Sequence, residues 1–472
     1  MAKSLFDKTY IGKMKLKNRI FMSPMGTTGE ADGAYCNEGI DYFEERAKGG
    51  AGLIITGANV VSTKYEPRPC TELSDFHHVE RLNMLIERCH AYGAKVCVQL
   101  SPGLGRQQFT DPFTPPYSAG SVGAFWFPDL ICKPFSKEDI HYLVEKVGYS
   151  ASLAVNAGAD CVELHAYGGY LLDQFHSVQW NNRTDEYGGD IHGRLRLTLE
   201  VIEEVRKQCG RDFIIDVRIS GDEYSDGGLT LNDMIYVSKQ LEKATVDFIH
   251  VSGGNTIKKG SSMPASGTAP APHKHASEEI KKHVSIPVAT VSRINEPWVA
   301  DELIANGVCD ACMIGRPNLC DSEFANKAKA GKIDEIRPCI GCGRCLTGIM
   351  FGKPISCTVN PAVEKEEIDE APVKKKVLVV GGGPAGMEAA YVAKKRGHDV
   401  VLCEQSDRLG GQLNIACVPI GKQEITKVVK YMKSQLTGVD VRLNTTVTKE
   451  MIENEFKDYE VITTVGATPK EI

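Results

Sequence analysis

Long apolar runs are missing from this chain. No window of about eighteen uninterrupted apolar residues occurs, which excludes an ordinary membrane-spanning helix. The amino terminus, Met1-Ala2-Lys3-Ser4-Leu5-Phe6-Asp7, lacks the apolar centre of a secretory signal, so the expected location is the cytoplasm. Basic runs are short as well. Nothing exceeds Lys374-Lys375-Lys376, and 55 Lys plus Arg against 61 Asp plus Glu leave a formal net charge of −6. A mildly acidic chain of this kind has no electrostatic footprint for nucleic acid. Internal repeats and low-complexity tracts are absent, and with 42% hydrophobic and 25% charged residues the composition argues against long disorder. What the chain does have is length, 472 residues, enough for two or three domains, and 16 cysteines. Without an export signal those thiols are expected to be reduced, metal-bound or buried rather than paired in disulfides.

Eight short apolar runs alternate with amphipathic stretches over the first two thirds of the chain. The predicted strands are Arg19–Met25, Gly52–Ala58, Lys95–Leu100, Cys161–Ala166, Ile214–Ser220, Phe248–Gly254, Pro287–Ser292 and Ala311–Arg316. Between them, Lys137–Asn156, Gly193–Cys209 and Glu296–Asn306 place apolar residues at helical spacing. Eight strand–helix units predict an α/β fold with an N-terminal (β/α)8 TIM barrel over residues 1–335. An open doubly wound sheet is the alternative, but the absence of a Gly-rich first turn favours closure. The pattern stops at Arg337. A Cys-rich segment and a charged linker, Glu364–Lys376, fill residues 336–375, and residues 376–472 begin a strand, Gly-rich turn, helix and strand of Rossmann-like type.

The densest chemical signal is Cys339-Ile340-Gly341-Cys342-Gly343-Arg344-Cys345, with Cys357 twelve residues later. Three thiols at CxxCxxC spacing and a more distant fourth suit a [4Fe–4S] cluster, each sulfur taking one iron. Gly341 and Gly343 let the backbone fold around the inorganic core. A tetrahedral zinc site is the alternative, although zinc more often pairs CxxC with a second CxxC or HxxxH. Cys309 and Cys312 also spell CxxC but run into the eighth strand, where extended backbone is expected to hold the two thiols apart. His77-His78 and His273-Lys274-His275 read as solvated surface rather than metal ligands.

Gly381, Gly383 and Gly386 form GxGxxG between a strand and a helix, and Glu404 closes the next strand. Glycines there allow a tight turn and close approach of a pyrophosphate, whose charge rests on the helix N-terminus. Glu404 is placed to accept from ribose hydroxyls, and Arg408-Leu409-Gly410-Gly411-Gln412 strengthens the reading of a dinucleotide site over a purely structural turn. The third constellation lies where barrel enzymes place their chemistry, at the C-terminal ends of the strands. Met25-Gly26-Thr27, Ala58 and Gln99 follow or end the first three strands. His165, Tyr167 and Tyr170 follow from the fourth, and Arg218 from the fifth. Ser292-Arg293 and Gly315-Arg316 end the last two, the usual phosphate position of this fold. An amide, an arginine and a phosphate pocket describe a bed for flavin mononucleotide (FMN): Gln99 at the pyrimidine edge, Arg218 against negative charge near N1. Taken singly, each of these residues also suits a core or rim role, His165 equally so.

Ser23-Pro24-Met25, Val98-Gln99-Leu100, the HAYGGYLLDQF stretch His165–Phe175, NNRTDEYGG at Asn181–Gly189 and Val217–Ser220 resemble the Old Yellow Enzyme barrel. With CIGCGRC and GGGPAGMEAA appended, the chain resembles the longer subgroup that includes 2,4-dienoyl-CoA reductase, trimethylamine dehydrogenase and anaerobic enoate or bile-acid NADH:flavin oxidoreductases. The resemblance implies FMN on the barrel, a [4Fe–4S] cluster on Cys339, Cys342, Cys345 and Cys357, and FAD or an ADP-like nucleotide on the Gly-rich domain. Electrons are then expected to run from NAD(P)H through FAD and the cluster to FMN. Carried over residue by residue, Pro24, Met25, Gly26, Ala58, Gln99, Arg218, Arg293, Gly315 and Arg316 match FMN contacts. Ala385, Glu404, Gln412, Lys422 and Val447 match FAD contacts, and Tyr170 matches the proton-donor tyrosine. Three places depart from the pattern. Gly168 replaces the second His or Asn after His165, and Thr256 stands where the dienoyl-CoA reductases carry a histidine. The sequence reaches Val465-Gly466-Ala467-Thr468-Pro469 about where the nicotinamide-binding domain would follow, so the FAD-binding domain is expected to be incomplete.

These features predict reduction of an activated C=C bond in an enoyl-CoA, enoate or enone. Hydride would pass from N5 of FMN to the β-carbon, Tyr170 would protonate the α-carbon, and His165, with Tyr167, would bond the carbonyl oxygen. With a reference pKa of about 10, tyrosine keeps its proton at neutral pH. One alternative is an amine dehydrogenase of the trimethylamine dehydrogenase type, with Phe125-Trp126-Phe127 caging a cation. Another is an electron-transfer module serving a second chain. The loop Ser101–Lys133 is expected to shape the substrate pocket, and the thiol abundance suits an anaerobic setting. A homo-oligomer or a redox partner chain is compatible with all of these readings.

Overall fold

The computed structural model describes residues 3–467, except 28, 67–69, 109–112, 258–259, 351 and 366 and the side chain of 350. Thr468 and Pro469, where the sequence departs from the family's pattern, and part of the Ser101–Lys133 loop therefore lie outside the described residues. Eight parallel strands close into a barrel: β1 (Ile20–Met22), β2 (Leu53–Ile55), β3 (Lys95–Ser101), β4 (Cys161–Ala166), β5 (Ile214–Ser220), β6 (Phe248–Ser252), β7 (Val288–Val291) and β8 (Ala311–Ile314). Closure comes from β8 pairing β1, Cys312 opposite Ile20, and from β2 pairing β3, Leu53 opposite Lys95. All eight predicted strands are present.

The intervening helices begin where their first residues supply caps. Ser136 and Asp139 form a reciprocal capping box on Lys137–Asn156, Thr230 and Asp233 do the same for Leu231–Lys243, and Asp190 caps Ile191–Cys209. Alternation along the strands sorts the barrel interior into layers. At the floor, Phe21, Cys97, Cys161, Ile214, Phe248 and Ala311 pack with Ile11, Met14 and Leu16 of an N-terminal antiparallel hairpin, which plugs the barrel. One layer up the interior turns polar: Gln99 lies opposite Glu163, and Glu163 opposite Asp216. Above that, Arg218 sits between His165 and His250 in register and faces the open end.

After the barrel the chain forms the Cys-rich segment and then a four-stranded parallel sheet in the order β11-β10-β9-β12. These strands are β9 (Lys376–Val380), β10 (Asp399–Cys403), β11 (Asp440–Arg442) and β12 (Glu460–Thr463). Helix Pro384–Lys395 crosses from β9 to β10, and a Cβ on Gly386 would stand 1.8 Å from the Gly381 carbonyl oxygen, so only glycine permits this helix–turn contact. The two units touch through side chains. Arg337 Nε donates to the Tyr431 hydroxyl at 3.2 Å, Lys430 pairs with Asp334 at 2.7 Å, and Ser266 Oγ donates to the Gly421 carbonyl at 2.7 Å. None of the 16 cysteines is in a disulfide. Among the described residues, no helix is long and apolar enough to cross a membrane.

Two expectations about side chains are corrected. Cys309 precedes β8 rather than lying in it, so the turn brings its sulfur to 3.8 Å from that of Cys312, in the core. His78 and His273 are buried, not solvated: His78 Nε2 meets the Asp32 carbonyl at 2.8 Å, and His273 stacks on Tyr224. His77 and His275 are exposed as expected.

Candidate active site

An open cleft with about 1210 Å³ of empty space lies at the C-terminal ends of the barrel strands. Its wall gathers Pro24, Met25, Gly26, Thr27, Ala58, Gln99, Arg218, Arg293, Gly315 and Arg316, so residues scattered over almost three hundred positions share one cavity. His165, Tyr167 and Tyr170 line the same space.

Two of the polar groups point to a planar polar ligand. Arg218 Nε is buried and has no hydrogen-bond partner, while its guanidinium carbon rests 4.2 Å from the centre of the Tyr167 ring. Gln99 is almost wholly buried, and its Nε2 donates to Glu163 Oε1 at 2.5 Å. A buried guanidinium N–H without an acceptor, in the same cavity as a buried amide, fits the pyrimidine edge of FMN. The phosphate end is more mixed. The Arg293 guanidinium is already neutralised by Glu424 and donates to the Thr268 carbonyl, so an anion in the cavity meets Arg293 chiefly through its main chain. Arg316 gives one donor to the Pro264 carbonyl at 2.9 Å.

The side chains expected to serve substrate chemistry come from the end of β4 and the turn after it. His165 and Tyr170 have ring centres 4.7 Å apart. Tyr170 opens the short helix Leu171–His176, and the Gly169 N–H of that turn donates to Asp173 Oδ2 at 2.7 Å. Burial, with Glu223 nearby, pushes the Asp173 carboxyl well above the usual carboxylate range, so it holds the turn as a neutral acid. Tyr167, expected to assist His165, donates its hydroxyl to the Ser262 carbonyl at 2.5 Å. Thr256 buries an unpartnered hydroxyl against Gly169. Phe125 and Trp126 do not line the cavity. They pack edge to face at 5.0 Å, Trp126 donates to the Gln107 carbonyl, and the Arg106 cation lies 5.8 Å from the Phe125 ring.

Helix Arg344–Met350 carries the cysteine segment onto this cavity, with Leu346 and Ile349 in its wall. Gly341 and Gly343 both take left-handed backbone, φ 63° and 77°, which lets the chain reverse between the cysteines. Cys339, Cys342, Cys345 and Cys357 lie close enough to influence one another electrostatically; burial raises the thiols of Cys339 and Cys345, and Arg316 pulls both the other way. Cys320, absent from the sequence reading, donates to Cys357 and with nearby N–H groups draws it down to about 7. A lone cysteine nineteen residues before the Cys-rich motif gave no signal for this role. Four thiols with a low-pKa member and backbone N–H groups fit an iron–sulfur centre.

In the C-terminal unit, Gly381 has φ 108° and Gly383 caps helix Pro384–Lys395, with Ala385 exposed in its first turn. Glu404 accepts from the Gly382 N–H at 2.6 Å and from the Ser406 N–H at 2.8 Å, so its carboxylate braces the glycine turn instead of standing open for ribose. Gln412 Nε2 donates to the Ala467 carbonyl at 2.9 Å, Lys422 is exposed, and Val447 packs beside Leu378 and Phe456.

Comparison with known proteins fits these two units. The family model described as NADH:flavin oxidoreductase / NADH oxidase matches residues 4–335, and one described as FAD dependent oxidoreductase matches 376–457. A cinnamate reductase of Clostridium sporogenes is 36% identical, the alignment covering 100% of this chain and 75% of the relative. A solved 2-naphthoyl-CoA reductase bound to 2-naphthoyl-CoA superposes with a TM-score of 0.92 at 27% identity, over 100% of this chain and 75% of that one. Histamine dehydrogenase from Rhizobium sp. 4-9 superposes at 0.89 with 26% identity, over 99% and 69%. A closed barrel with an amide and an arginine at its open end, matched over its whole length, places the chain in the NADH:flavin oxidoreductase / NADH oxidase family.

Proposed function

We propose that this flavin oxidoreductase reduces the activated C=C bond of an enoyl-CoA, enoate or enone. Residues 1–335 would hold FMN, residues 336–375 a [4Fe–4S] cluster through Cys339, Cys342, Cys345 and Cys357, and residues 376–472 FAD or an ADP-like nucleotide. When bound, these groups supply hydride at the flavin and a one-electron path from NAD(P)H. The protein's own part is acid–base and positioning chemistry. Tyr170 carries the proton for the α-carbon, and His165 beside it bonds the carbonyl oxygen as negative charge develops there. Tyr167 packs its ring on Arg218, which would hold the flavin, and does not reach substrate, because its hydroxyl is taken by Ser262.

The observation that carries this reading is the pairing of His165 with Tyr170, 4.7 Å apart, on the wall of the cavity that Gln99 and Arg218 floor. Similarity to a cinnamate reductase and a naphthoyl-CoA reductase supports the same direction of chemistry. The histamine dehydrogenase likeness favours amine oxidation, but Phe125 and Trp126 are engaged with Arg106 and Gln107 and stay out of the cavity wall. The test is anaerobic. Photoreduced protein is mixed with enoyl-CoAs, enoates, enones and methylated amines, and the flavin spectrum is followed. Fast reoxidation by an unsaturated carbonyl compound is expected. Bleaching of the oxidised protein by an amine, with no reoxidation by any alkene, reverses the assignment.

A further inference from the structure

Beneath the cavity, the polar layer of the barrel holds three ionisable side chains that the chemistry above does not use. Glu163, Asp216 and His250 are fully buried, and each offers a polar atom within 4.8 Å of the others. Glu163 Oε2 meets His250 Nδ1 at 2.7 Å, and Glu163 Oε1 receives Gln99 Nε2 at 2.5 Å. Leaving charged and polar groups in a barrel core is costly unless they are bonded and have a task.

An ionised carboxylate only accepts, so the group that faces it must donate. That requirement fixes which end of the Gln99 amide points down. Nitrogen faces Glu163, and the oxygen is the end left toward the cavity. We propose that Glu163 is a positioning residue for the flavin, holding the Gln99 amide oxygen toward the cavity so that it accepts from the N3–H of the pyrimidine ring. The inference rests on the reading of the cavity as an FMN site. A flipped amide would set N–H against N–H at that edge, so the orientation decides whether the edge is recognised.

The surrounding groups keep the carboxylate charged. Burial would raise Glu163, but the His250 ring and the Arg218 charge hold it below the usual carboxylate range. Burial and the Glu163 charge push Asp216 well above that range, so Asp216 stays protonated and adds no second negative charge beside Glu163. Glu163 then serves a second purpose: its negative charge offsets Arg218. Neutralising it leaves the guanidinium's pull on a reduced, anionic flavin uncompensated.

The test compares wild type, Glu163→Gln, Gln99→Ala and the double variant, each assayed for FMN binding, flavin absorption and two-electron midpoint potential. Glu163→Gln is expected to weaken FMN binding roughly tenfold, the weight of one buried hydrogen bond. It is also expected to raise the potential, by about 30 mV for each tenfold gain in binding of reduced over oxidised flavin. In the Gln99→Ala background its effect on FMN affinity should disappear. Wild-type affinity, absorption and potential in Glu163→Gln would overturn the proposal. Where that variant does not fold, Glu163→Asp replaces it, keeping the charge but withdrawing it from Gln99 by one methylene. A displaced absorption band with weaker FMN binding then supports the role, and wild-type values overturn it. A wild-type protein that binds no FMN in the barrel would instead remove the flavin reading itself.

Discussion

The guanidinium of Arg293, just after barrel strand β7, is bound by the carboxylate of Glu424, the residue that precedes helix Ile425–Ser434 in the C-terminal unit; one of their contacts is 3.1 Å. The Arg293 side chain is only 4% exposed and that of Glu424 is 18% exposed. Breaking such a pair leaves an uncompensated charge in a dry place, which costs more than the pair itself contributes. Glu424→Gln is therefore expected to destabilise the contact between the units by about 2 kcal/mol. Calorimetry should show it as a lower, broader transition, with limited proteolysis cutting sooner near the linker. An unchanged transition would mean that the contacts at Tyr431 and Gly421 suffice.

Replacing one of the four proposed cluster cysteines gives a separate prediction. Cys345 is buried beside the two side chains, Leu346 and Ile349, that wall the cavity. Cys345→Ala should abolish bound iron and sulfide while FMN content persists, because the flavin bed is built from barrel strands. Flavin reduction by an added one-electron donor should then slow by orders of magnitude. Cys320→Ala should keep the iron and shift only the cluster potential, since Cys320 reaches Cys357 rather than serving among the four. Iron retained in Cys345→Ala would point to a different ligand set.

The linker supplies a pH prediction. Burial and the neighbouring Glu38 push the Glu364 carboxyl up to about 7 from an ordinary value near 4.5, and its Oε1 has no hydrogen-bond partner. Between those two pH values the folded protein holds a proton that the unfolded chain has lost. Stability contributed at Glu364 is thus full below about 4.5, falls as pH rises to about 7, and stays low above it. Glu364→Gln should be neutral at pH 4.5 and stabilising at pH 8. Partial exposure limits the gain to about 1 kcal/mol. Thermal melts at the two pH values check it; an equal effect at both would place the cause elsewhere.

What was legible in the sequence followed from periodicity and fixed spacing. The eight strands stand out because both of their faces are buried, giving continuous apolar runs such as Ile20–Met22 and Leu53–Ile55. The cavity residues were legible because barrel chemistry collects at strand ends. The polar layer was not. Glu163 and Asp216 sit within apolar runs and look like lapses in a buried strand until the register sets them side by side. The Arg293–Glu424 pair spans more than a hundred positions and two units, a distance no local pattern reports. Cys320 acts on Cys357, a partner brought in by the fold. His78 and His273 went the other way: polar neighbours in sequence suggested surface, but loop packing buried them.

Tyr170 decides the direction of chemistry most directly. Its ring is set against His165 by a turn that Asp173 holds through the Gly169 N–H, so replacing the hydroxyl by hydrogen leaves the shape of the wall intact. Tyr170→Phe should bind FMN as wild type does, since the proposed flavin contacts come from Gln99 and Arg218. If the hydroxyl donates the proton to an α-carbon, reoxidation of reduced flavin by an enone should slow about a hundredfold or more, the usual weight of general-acid catalysis. The solvent deuterium isotope effect on that step should change with it, because water must then provide the proton. His165→Asn should weaken enone binding and slow the same step with the tyrosine proton still available. An undiminished single-turnover rate in Tyr170→Phe would take the hydroxyl out of the proton path. The cavity would then be left to a reaction that needs no proton on carbon, such as removal of hydride from an amine.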